Sequence, residues 1–274
     1  MNVPAFSRLQ AHNCIALNRF LYDNLDKWRR ARKPKEGSSA KCLNPDNVYV
    51  DDCAGASSLI FREGWARRCI LGPRNRYKAV IARTPGAIVA QTLDGTVYIA
   101  HRGTKTTKEW DVDTNITGTA LEVDGQEVGK VHFGFRRSYL SVESALKTQL
   151  STLTGKTGIE PSSVIITGHS LGAGISTLNT RAFLPEDWGL PVDIPFGALT
   201  FASPMPGFES FRDQFPHADA RLKHVINEHD LIPKLPGVLG YCHVGTIKNI
   251  PEDFGRAGDN HALKNYAGWI DRWF

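Results

Sequence analysis

The sequence predicts an α/β protein in which a central, mostly parallel sheet is flanked by helices. Two observations support this prediction. Short β-branched and apolar runs alternate with longer stretches of helical periodicity, and one buried strand leads through a glycine-rich turn directly into a helix. The chain has 274 residues, 41% hydrophobic and 22% charged, which is the composition of a globular protein large enough to bury a full core.

The first 75 residues differ in pattern from the rest of the chain. Ala11–Lys27 has apolar side chains at three- and four-residue steps, which predicts a helix. The helix leads into a basic run, Arg29–Lys35, which we interpret as a solvated helix end rather than a membrane- or phosphate-facing patch. Glu36–Asp52 is rich in turn residues and is predicted to be loop. We therefore expect a helical and loop extension of unknown role at 1–75, and a main domain at 76–274, within one compact structure.

The first predicted elements of the main domain are a β-hairpin and a long helix. Ala87–Gln91 and Thr96–Ala100 are apolar runs joined by a Leu-Asp-Gly turn, and an Asp-Gly pair between such runs is typical of a hairpin. Gly134–Leu153 has apolar residues at the helical period, which predicts a helix with one buried face. Those residues are Phe135, Tyr139, Val142, Leu146 and Leu150.

Strands and helices alternate through the rest of the chain. Val164–Thr167 is a short β-branched run bounded by Pro161 and Gly168, which favours a buried strand. Because alternation at these lengths is typical of parallel sheets, we expect the strands to pair in parallel at the centre. The later elements are a helix at Leu171–Ala182, strands at Ala198–Ala202 and Leu222–Ile226, and an amphipathic helix at Ala262–Phe274.

Charge and hydropathy exclude several classes of protein. The 33 basic and 28 acidic residues leave a net charge of +5, which is mild for a nucleic-acid-binding protein, so no nucleic-acid partner is expected. The longest uncharged run, Pro161–Thr180, is too rich in Gly, Ser and Thr to span a bilayer. The first ten residues lack the pattern of a signal peptide, so we expect a cytoplasmic protein or export by a route that needs no such signal.

The cysteines do not form a recognisable pattern. Five are present, at 14, 42, 53, 69 and 242, without a C-x-x-C pair or a histidine at zinc-finger spacing. The sequence therefore predicts free, partly buried thiols and no structural metal site.

The most informative segment is V-I-I-T-G-H-S-L-G-A-G, Val164–Gly174. A buried strand, G-x-S-x-G and a helix follow one another, which is the context of a nucleophile elbow. Ser170 would lie on a strained turn. The positions two before and two after it would crowd together, so they must be residues without a Cβ atom, which explains Gly168 and Gly172. The alternative is a glycine-rich strand–helix turn without chemistry. We interpret Ser170 as the nucleophile.

A serine nucleophile needs a base, and the base needs an acid that orients it. In this arrangement the acid follows the serine in the chain and the base comes last. Asp230 follows the predicted strand Leu222–Ile226 and is the candidate acid, ahead of its neighbours Glu228 and His229. The candidate base is His261, in a polar loop before the last helix. His243 borders an apolar stretch and is expected to be structural.

Seven segments follow one another in a characteristic order along the chain: V-Y-I-A-H-R-G-T (97–104), E-W-D-V-D (109–113), V-H-F-G-F (131–135), G-H-S-L-G-A-G (168–174), L-T-F-A-S-P-M-P-G (199–207), V-I-N-E-H-D-L-I-P-K-L-P (225–236) and H-A-L-K-N-Y (261–266). In this order they resemble the class 3 lipase family, the fungal-type triacylglycerol lipases of the α/β-hydrolase superfamily. The resemblance runs from Gly86 to Phe274 and agrees with the choice of serine, aspartate and histidine.

The resemblance implies an α/β-hydrolase fold for the catalytic domain at 76–274 and further site residues. The oxyanion hole would consist of the N–H of Leu171 together with Thr104, through its N–H and its hydroxyl. A candidate lid, Lys105–Leu121, is mostly polar. The elbow histidine, His169, and His132 are expected to pack rather than react. The larger apolar residues of the lid include Trp110, Val112 and Ile116.

Three positions depart from the family pattern. His101 stands where phenylalanine is usual, Ala202 where glycine is common, and Met205 where arginine is common. We expect these changes to alter packing around the oxyanion strand and the acid loop without changing the catalytic residues.

The predicted function is hydrolysis of carboxylic esters of lipids, triacylglycerol or shorter acyl esters, through an acyl-enzyme on Ser170 and without a cofactor or metal. The alternative within enzymes is a phospholipase A1-type or effector phospholipase acting on membrane phospholipid. Two other classes compete with an enzyme: a non-catalytic lipid- or protein-binding relative, and an interaction protein whose basic N-terminal segment docks on a membrane. The expected partners are a lipid or ester substrate and, transiently, a membrane or lipid interface.

Overall fold

The computed structural model describes residues 3, 6–30, 53–66, 80–104 and 117–273, with side chains at 3, 6–23, 86–104, 117–155 and 157–273. The strands are β1 (Cys53–Ala66), β2 (Val80–Thr92), β3 (Thr96–His101), β4 (Gly118–Val123), β5 (Gln126–His132), β6 (Ser163–His169), β7 (Phe196–Phe201), β8 (Gly207–Phe208), β9 (Leu222–Asn227), β10 (Tyr241–Cys242) and β11 (Thr246–Ile250). The α-helices are α1 (Arg8–Arg30), α2 (Phe133–Thr157), α3 (Leu171–Ala182), α4 (Glu209–Asp213), α5 (Ala218–Arg221), α6 (Ala257–Asn260) and α7 (Leu263–Ile270).

A seven-stranded sheet in the order β1-β2-β3-β6-β7-β9-β11 forms the centre of the structure. Within this sheet, the neighbouring strands β3, β6, β7, β9 and β11 pair in parallel, whereas β1 pairs antiparallel with β2, and β2 pairs antiparallel with β3. A second, antiparallel sheet has the order β10-β8-β5-β4. The prediction of a mostly parallel sheet flanked by helices is therefore confirmed.

Alternate residues of the parallel strands supply two separate cores. In β6, Val164 and Ile166 lie in the core that also contains the buried face of α2, whereas Ile165 lies in the core that contains α1 and α7. Both faces of the sheet are covered, which explains why every residue of the central strands β3, β6 and β7 is buried rather than every second one. The five residues predicted for the buried face of α2 all lie in its core.

The N-terminal helix α1 is part of this layered structure. Its residues Cys14, Leu17 and Leu21 are buried against the sheet, as the helical periodicity predicted. At its first turns, Arg8 and His12 both contact the carboxylate of Asp271 at 2.7 Å, just beyond the end of α7. The proposed boundary near residue 75 falls among residues 67–79, outside the described part of the chain, and stays a prediction.

Most predicted elements agree with the structure to within about four residues, although β2 begins at Val80, well before the predicted run at Ala87, and there are three further differences. First, β1 lies inside the extension for which only helix and loop were expected; it adds to the open edge of β2 and has no apolar alternation to mark it. Second, the last helix was expected to run to residue 274 but ends at Ile270, followed by turns. Third, β11 and the small sheet were not predicted. In the small sheet, β8 and β10 have two residues each and show no periodicity, whereas β4 and β5 have six and seven residues joined by an Asp-Gly turn that was not interpreted as a hairpin.

The cysteines that can be described are free thiols. Cys14 is buried and Cys242 is half-buried, and burial raises the pKa of the Cys14 thiol to about 12. The side chains of the other three cysteines lie outside the described residues. Among the helices that the structure describes, none combines the length and apolar character that crossing a bilayer requires.

Candidate active site

Ser170 lies on the turn between β6 and α3, with φ 61° and ψ −132°. A residue with a side chain rarely adopts this conformation, which costs about 1–3 kcal/mol and persists only where its surroundings hold it. Two features hold Ser170 in this conformation. Its N–H donates to the carbonyl of Phe201 on β7 at 3.0 Å, and helix α3 starts at the next residue. The strained turn predicted for this serine is present.

The two elbow glycines fill positions at which no side chain fits. A Cβ at Gly168 would overlap the carbonyl group of Gly172, because the strand and the helix approach closely on either side of Ser170. A Cβ at Gly172 would overlap the carbonyl oxygen of His101 at the end of β3. The second glycine is therefore needed for contact with the neighbouring strand as well as for the turn itself.

The structure brings Ser170, His261 and Asp230 together in one chain of hydrogen bonds. The Oγ of Ser170 lies 2.9 Å from Nε2 of His261, and Nδ1 of His261 lies 2.7 Å from Oδ2 of Asp230. Because the carboxylate can only accept, Nδ1 carries a proton and Nε2 is the nitrogen that accepts from the serine. This is the arrangement of a Ser-His-Asp triad, made by residues up to 91 positions apart.

Asp230 is buried and its carboxylate accepts two further hydrogen bonds. Oδ1 accepts from the N–H of Ile232 at 3.0 Å, and Oδ2 accepts from the hydroxyl of Tyr266 at 2.8 Å. Burial, and secondarily the charge of Asp230, raise the pKa of Tyr266 far above its usual value, so the phenol stays a donor. Sequence reasoning assigned no role to Tyr266, although it is the tyrosine of the H-A-L-K-N-Y segment.

The two residues expected to form the oxyanion hole lie on elements that meet at Ser170. Leu171 is the first residue of α3, so its N–H has no acceptor within the helix. Thr104 is buried, and its hydroxyl has no hydrogen-bond partner among the described residues. A Cβ at Gly103, the residue before it, would lie 3.2 Å from Cβ of Ser170. Such an unpaired buried hydroxyl is ready to donate to a substrate oxygen.

Two of the other histidines take structural positions. His169 is buried, contacts the hydroxyl of Tyr22 through Nδ1 at 2.9 Å, and contacts the carbonyl of His261 through Nε2 at 2.9 Å. His132 caps α2, accepting from the N–H of Gly134 at 3.1 Å, and burial lowers the pKa of its imidazole to about 4. Tyr22 belongs to α1, and no feature of the sequence marked it.

The rejected alternatives for acid and base lie elsewhere. His243 contacts the carbonyl of Pro233 through Nε2 at 2.9 Å, and His229 contacts the carbonyl of Pro251 at 3.1 Å. Glu228 and His229 are exposed, whereas Asp230 is buried. The carboxylate that meets His261 is therefore that of Asp230.

The three departures from the family pattern have local structural consequences. His101 is buried at the end of β3 and lies 2.8 Å from Nδ2 of Asn179. Ala202 has φ 52°, a left-handed conformation that explains why glycine is common at this position. Met205 donates its N–H to the carbonyl of Leu235 at 2.9 Å and so lies against the acid loop.

Two expectations fall wholly or partly outside the described residues. Trp110, Val112 and Ile116 of the candidate lid lie within 105–116, so the lid stays a prediction. Within the part of the chain that the structure describes, no three His, Cys, Asp or Glu side chains form a set that could hold a metal ion.

Similarity to known proteins points in the same direction as this geometry. Phospholipase A1-II 4 of Oryza sativa subsp. japonica is 30% identical over 216 residues, covering 72% of this chain and 54% of the relative. Phospholipase A1-IIdelta of Arabidopsis thaliana is 30% identical over 220 residues, covering 63% of this chain and 53% of the relative. The chain thus spans about half the length of the curated relatives it matches.

Solved structures and a family model complete the comparison. A Rhizomucor miehei lipase–propeptide complex superposes with a TM-score of 0.59 at 17% identity, covering 95% of this chain and 77% of the other, which shows a shared fold. The model of the family Lipase (class 3) matches residues 98–240, which include Ser170 and Asp230. The chain therefore belongs to the class 3 lipase family of α/β-hydrolases.

Proposed function

We propose that this chain hydrolyses carboxylic esters of lipids through an acyl-enzyme on Ser170. The observation that carries the proposal is the continuous hydrogen-bond chain from the serine hydroxyl through His261 to Asp230, with contacts of 2.9 and 2.7 Å. The strained position of Ser170 at the start of α3 supports it, because that position directs the helix amides toward the reacting oxygen.

Each proton transfer of the reaction has a residue to perform it. Oγ of Ser170 attacks the ester carbonyl while Nε2 of His261 accepts its proton, and Asp230 stabilises the imidazolium that forms. Leu171 and Thr104 donate to the tetrahedral oxyanion. The C–O bond to the alcohol then breaks, and the alcohol leaves with the proton from Nε2. Water attacks the acyl-enzyme by the same steps, giving the free acid and restoring the serine.

An exposed apolar segment beside Asp230 supports a lipid substrate over a small water-soluble ester. Within residues 231–239, Leu231 is 59% exposed, Leu235 42%, Val238 94% and Leu239 45%. Large apolar residues concentrated in this way are typical of surfaces that contact a lipid or a partner. We propose that this segment, the apolar acid loop, contacts the lipid interface from which the substrate is drawn.

Phospholipid is the second candidate substrate, and two observations favour it. The relatives that match this chain at 30% identity carry the name phospholipase A1. The net charge of +5, with Lys234 exposed within the apolar acid loop, suits an anionic membrane surface. In this form of the proposal the ester cleaved is the sn-1 acyl ester of a phospholipid.

The test compares wild type with Ser170→Ala on four substrates. These are p-nitrophenyl butyrate, p-nitrophenyl palmitate, a triacylglycerol emulsion, and anionic phospholipid vesicles labelled in the sn-1 or the sn-2 acyl chain. We expect wild type to cleave at least one lipid ester, and Ser170→Ala to hydrolyse the same ester roughly a thousandfold or more slowly. Release of the sn-1 label favours the phospholipase A1 form, whereas release from the emulsion alone favours a triacylglycerol lipase.

A change in the apolar acid loop tests the lipid contact separately. Val238→Asp places a charge where the exposed valine stands, so hydrolysis of vesicles or emulsion should fall at least about fivefold. Hydrolysis of the soluble butyrate ester should stay within twofold of wild type. Equal loss on both kinds of substrate would contradict an interfacial role. Wild-type protein that is inert on all four substrates would favour a non-catalytic binding protein.

A further inference from the structure

Helix α1, whose role the sequence left open, reaches the proposed base through two side chains. Oη of Tyr22 lies 2.9 Å from Nδ1 of His169, and Nε2 of His169 lies 2.9 Å from the main-chain oxygen of His261. We propose that Tyr22 and His169 form a positioning relay that holds the main chain of His261, and that α1 thereby belongs to the active site. This inference rests on the proposed function of His261 as the base.

The partners of His169 determine where its proton lies. A carbonyl oxygen can only accept, so Nε2 of His169 carries the proton and donates it to His261. Burial, and secondarily the proximity of His261, lower the pKa of His169 well below its usual value, so the ring is neutral. Its Nδ1 is then an acceptor, and the hydroxyl of Tyr22 donates to it. Donation by Tyr22 thus selects the tautomer that His261 requires.

His261 needs support for its main chain because it lies in a connection between two short helices. The connection runs from α6, which has four residues, to α7. Asp230 fixes the imidazole ring at Nδ1, while the N–H of His261 donates to the carbonyl of Ala257 at 3.2 Å. His169 holds the carbonyl on the other side, with the two imidazole centroids 4.8 Å apart. The relay therefore limits movement of the ring relative to Ser170.

Tyr22 also contacts the turn that carries the oxyanion residue. A Cβ at Gly103 would overlap both Oη of Tyr22 and the carbonyl oxygen of His169. The phenol thus lies between the Arg-Gly-Thr turn that ends at Thr104 and the elbow that carries Ser170. One side chain from α1 accordingly touches the supports of both the base and the oxyanion hole.

A buried hydrogen bond next to Tyr22 holds this part of α1 on the sheet. One turn before Tyr22, Nδ2 of Asn18 donates to Oγ1 of Thr167 on β6 at 3.2 Å, so the helix is fixed to the strand that leads into the elbow. Nearer the start of α1, Nδ2 of Asn13 donates to the hydroxyl of Tyr98 on β3 at 3.1 Å. This second hydrogen bond stabilises the docked helix but contacts neither His169 nor the elbow, so it serves as a control for general support of the fold.

The first test is the pair Tyr22→Phe and His169→Asn with their double variant. Asn keeps an acceptor near Nδ1 but has no donor at the position of Nε2, so it breaks the link to His261. We expect kcat on p-nitrophenyl butyrate to fall on the order of tenfold in Tyr22→Phe and on the order of a hundredfold in His169→Asn, with KM nearly unchanged. The double variant should equal His169→Asn within twofold, because Tyr22 acts through His169.

Two further variants distinguish positioning from general support of the fold. His169→Gln keeps an amide donor near Nε2 and should recover most of the activity that His169→Asn loses. Asn13→Ala removes a buried hydrogen bond of the same helix, so it should lower the urea midpoint of unfolding and leave kcat within twofold. Activity loss in Asn13→Ala as large as that in Tyr22→Phe would overturn the relay.

A spectroscopic measurement tests the relay without turnover. The proton on Nδ1 of His261, shared with Asp230, should give a resolved low-field proton NMR resonance. We expect this resonance to shift or broaden in Tyr22→Phe and to be unchanged in Asn13→Ala. An unchanged resonance in Tyr22→Phe, or multiplicative rate losses in the double variant, would overturn the proposal. Failure of Ser170→Ala to reduce hydrolysis would instead overturn the proposed function, and the resonance separates the two results.

Discussion

Thr104→Val is the substitution for which activity and stability should move in opposite directions. The hydroxyl of Thr104 is buried and makes no hydrogen bond to any residue that the structure describes. Its expected use is in the transition state, where it donates to the oxyanion. Valine has nearly the same shape as threonine and replaces only the hydroxyl by a methyl group.

The magnitudes follow from these two roles. Loss of one oxyanion donor costs about 2.7–4 kcal/mol of transition-state stabilisation, which lowers kcat by roughly 10²–10³ with little change in KM. An unpaired buried hydroxyl costs about 1–3 kcal/mol, so its removal should raise the free energy of unfolding by about 1 kcal/mol. The backbone N–H groups of Thr104 and Leu171 are still present, and they account for the residual activity.

The assay is steady-state hydrolysis of p-nitrophenyl butyrate together with urea unfolding of the same preparations. The control is Thr104→Ser, which keeps the hydroxyl and should retain kcat within about tenfold of wild type. A kcat for Thr104→Val within threefold of wild type would refute the assignment to the oxyanion hole. A fall in the free energy of unfolding of more than about 1 kcal/mol would show that the hydroxyl has a structural partner.

Three further predictions concern other parts of the site and its supports. Tyr266→Phe removes a donor to the Asp230 carboxylate, so the free energy of unfolding should fall by about 2 kcal/mol and kcat on the order of tenfold, measured by urea unfolding and kinetics. The pKa of His132 is about 4 in the folded protein and about 6.5 in the unfolded chain. Between these two pH values the unfolded chain binds a proton at His132 that the folded protein does not, so the free energy of unfolding is unaffected above pH 6.5 and decreases as the pH falls toward 4. His132→Asn, which keeps an acceptor for the Gly134 N–H, should reduce the loss of unfolding free energy between pH 7 and pH 5 by about 2 kcal/mol; an unchanged loss would contradict this. Ala202→Gly relieves a left-handed φ of 52°, so the urea midpoint should rise by the equivalent of about 0.5–1 kcal/mol, and a lower midpoint would show that the methyl group packs favourably.

The three residues of the proposed triad could be predicted from the sequence because each carries a local signal. Ser170 lies in a glycine-bounded motif between a strand and a helix, Asp230 follows a strand, and His261 precedes the last helix. Parallel strands end at one edge of the sheet, so these signals imply that the three side chains meet. The structure brings them together with the expected hydrogen bonds.

The residues that support the site could not be predicted in the same way. Tyr22 lies 147 positions from its partner His169, on a helix whose apolar periodicity is ordinary. Its contact depends on how α1 packs across the sheet, and periodicity predicts that a face is buried without predicting what it meets. Tyr266 was visible in its motif, but the acceptor of its hydroxyl depends on the path of the loop that carries Asp230.

Strand β1 and the two-residue strands β8 and β10 were missed for a different reason. Edge strands and two-residue strands are formed by pairing with a neighbour rather than by local propensity, so tertiary contacts decide them. The hairpin of β4 and β5, by contrast, has an Asp-Gly pair between its strands, a local signal from which it could have been predicted. At Ala202 the sequence showed an unusual residue, and the structure supplied the reason why it is unusual. Its departure from the glycine common in the family was visible in the sequence, and the left-handed backbone that the residue must adopt explains why glycine is favoured there.

The identity of the nucleophile is tested most directly by labelling the protein with a fluorophosphonate and locating the adduct by mass spectrometry. We expect a single adduct on Ser170 that is absent in Ser170→Ala and forms roughly a thousandfold more slowly in His261→Gln, because the serine then lacks its base. An adduct on another residue, or a labelling rate that His261→Gln leaves unchanged, would show that Ser170 and His261 do not act as nucleophile and base.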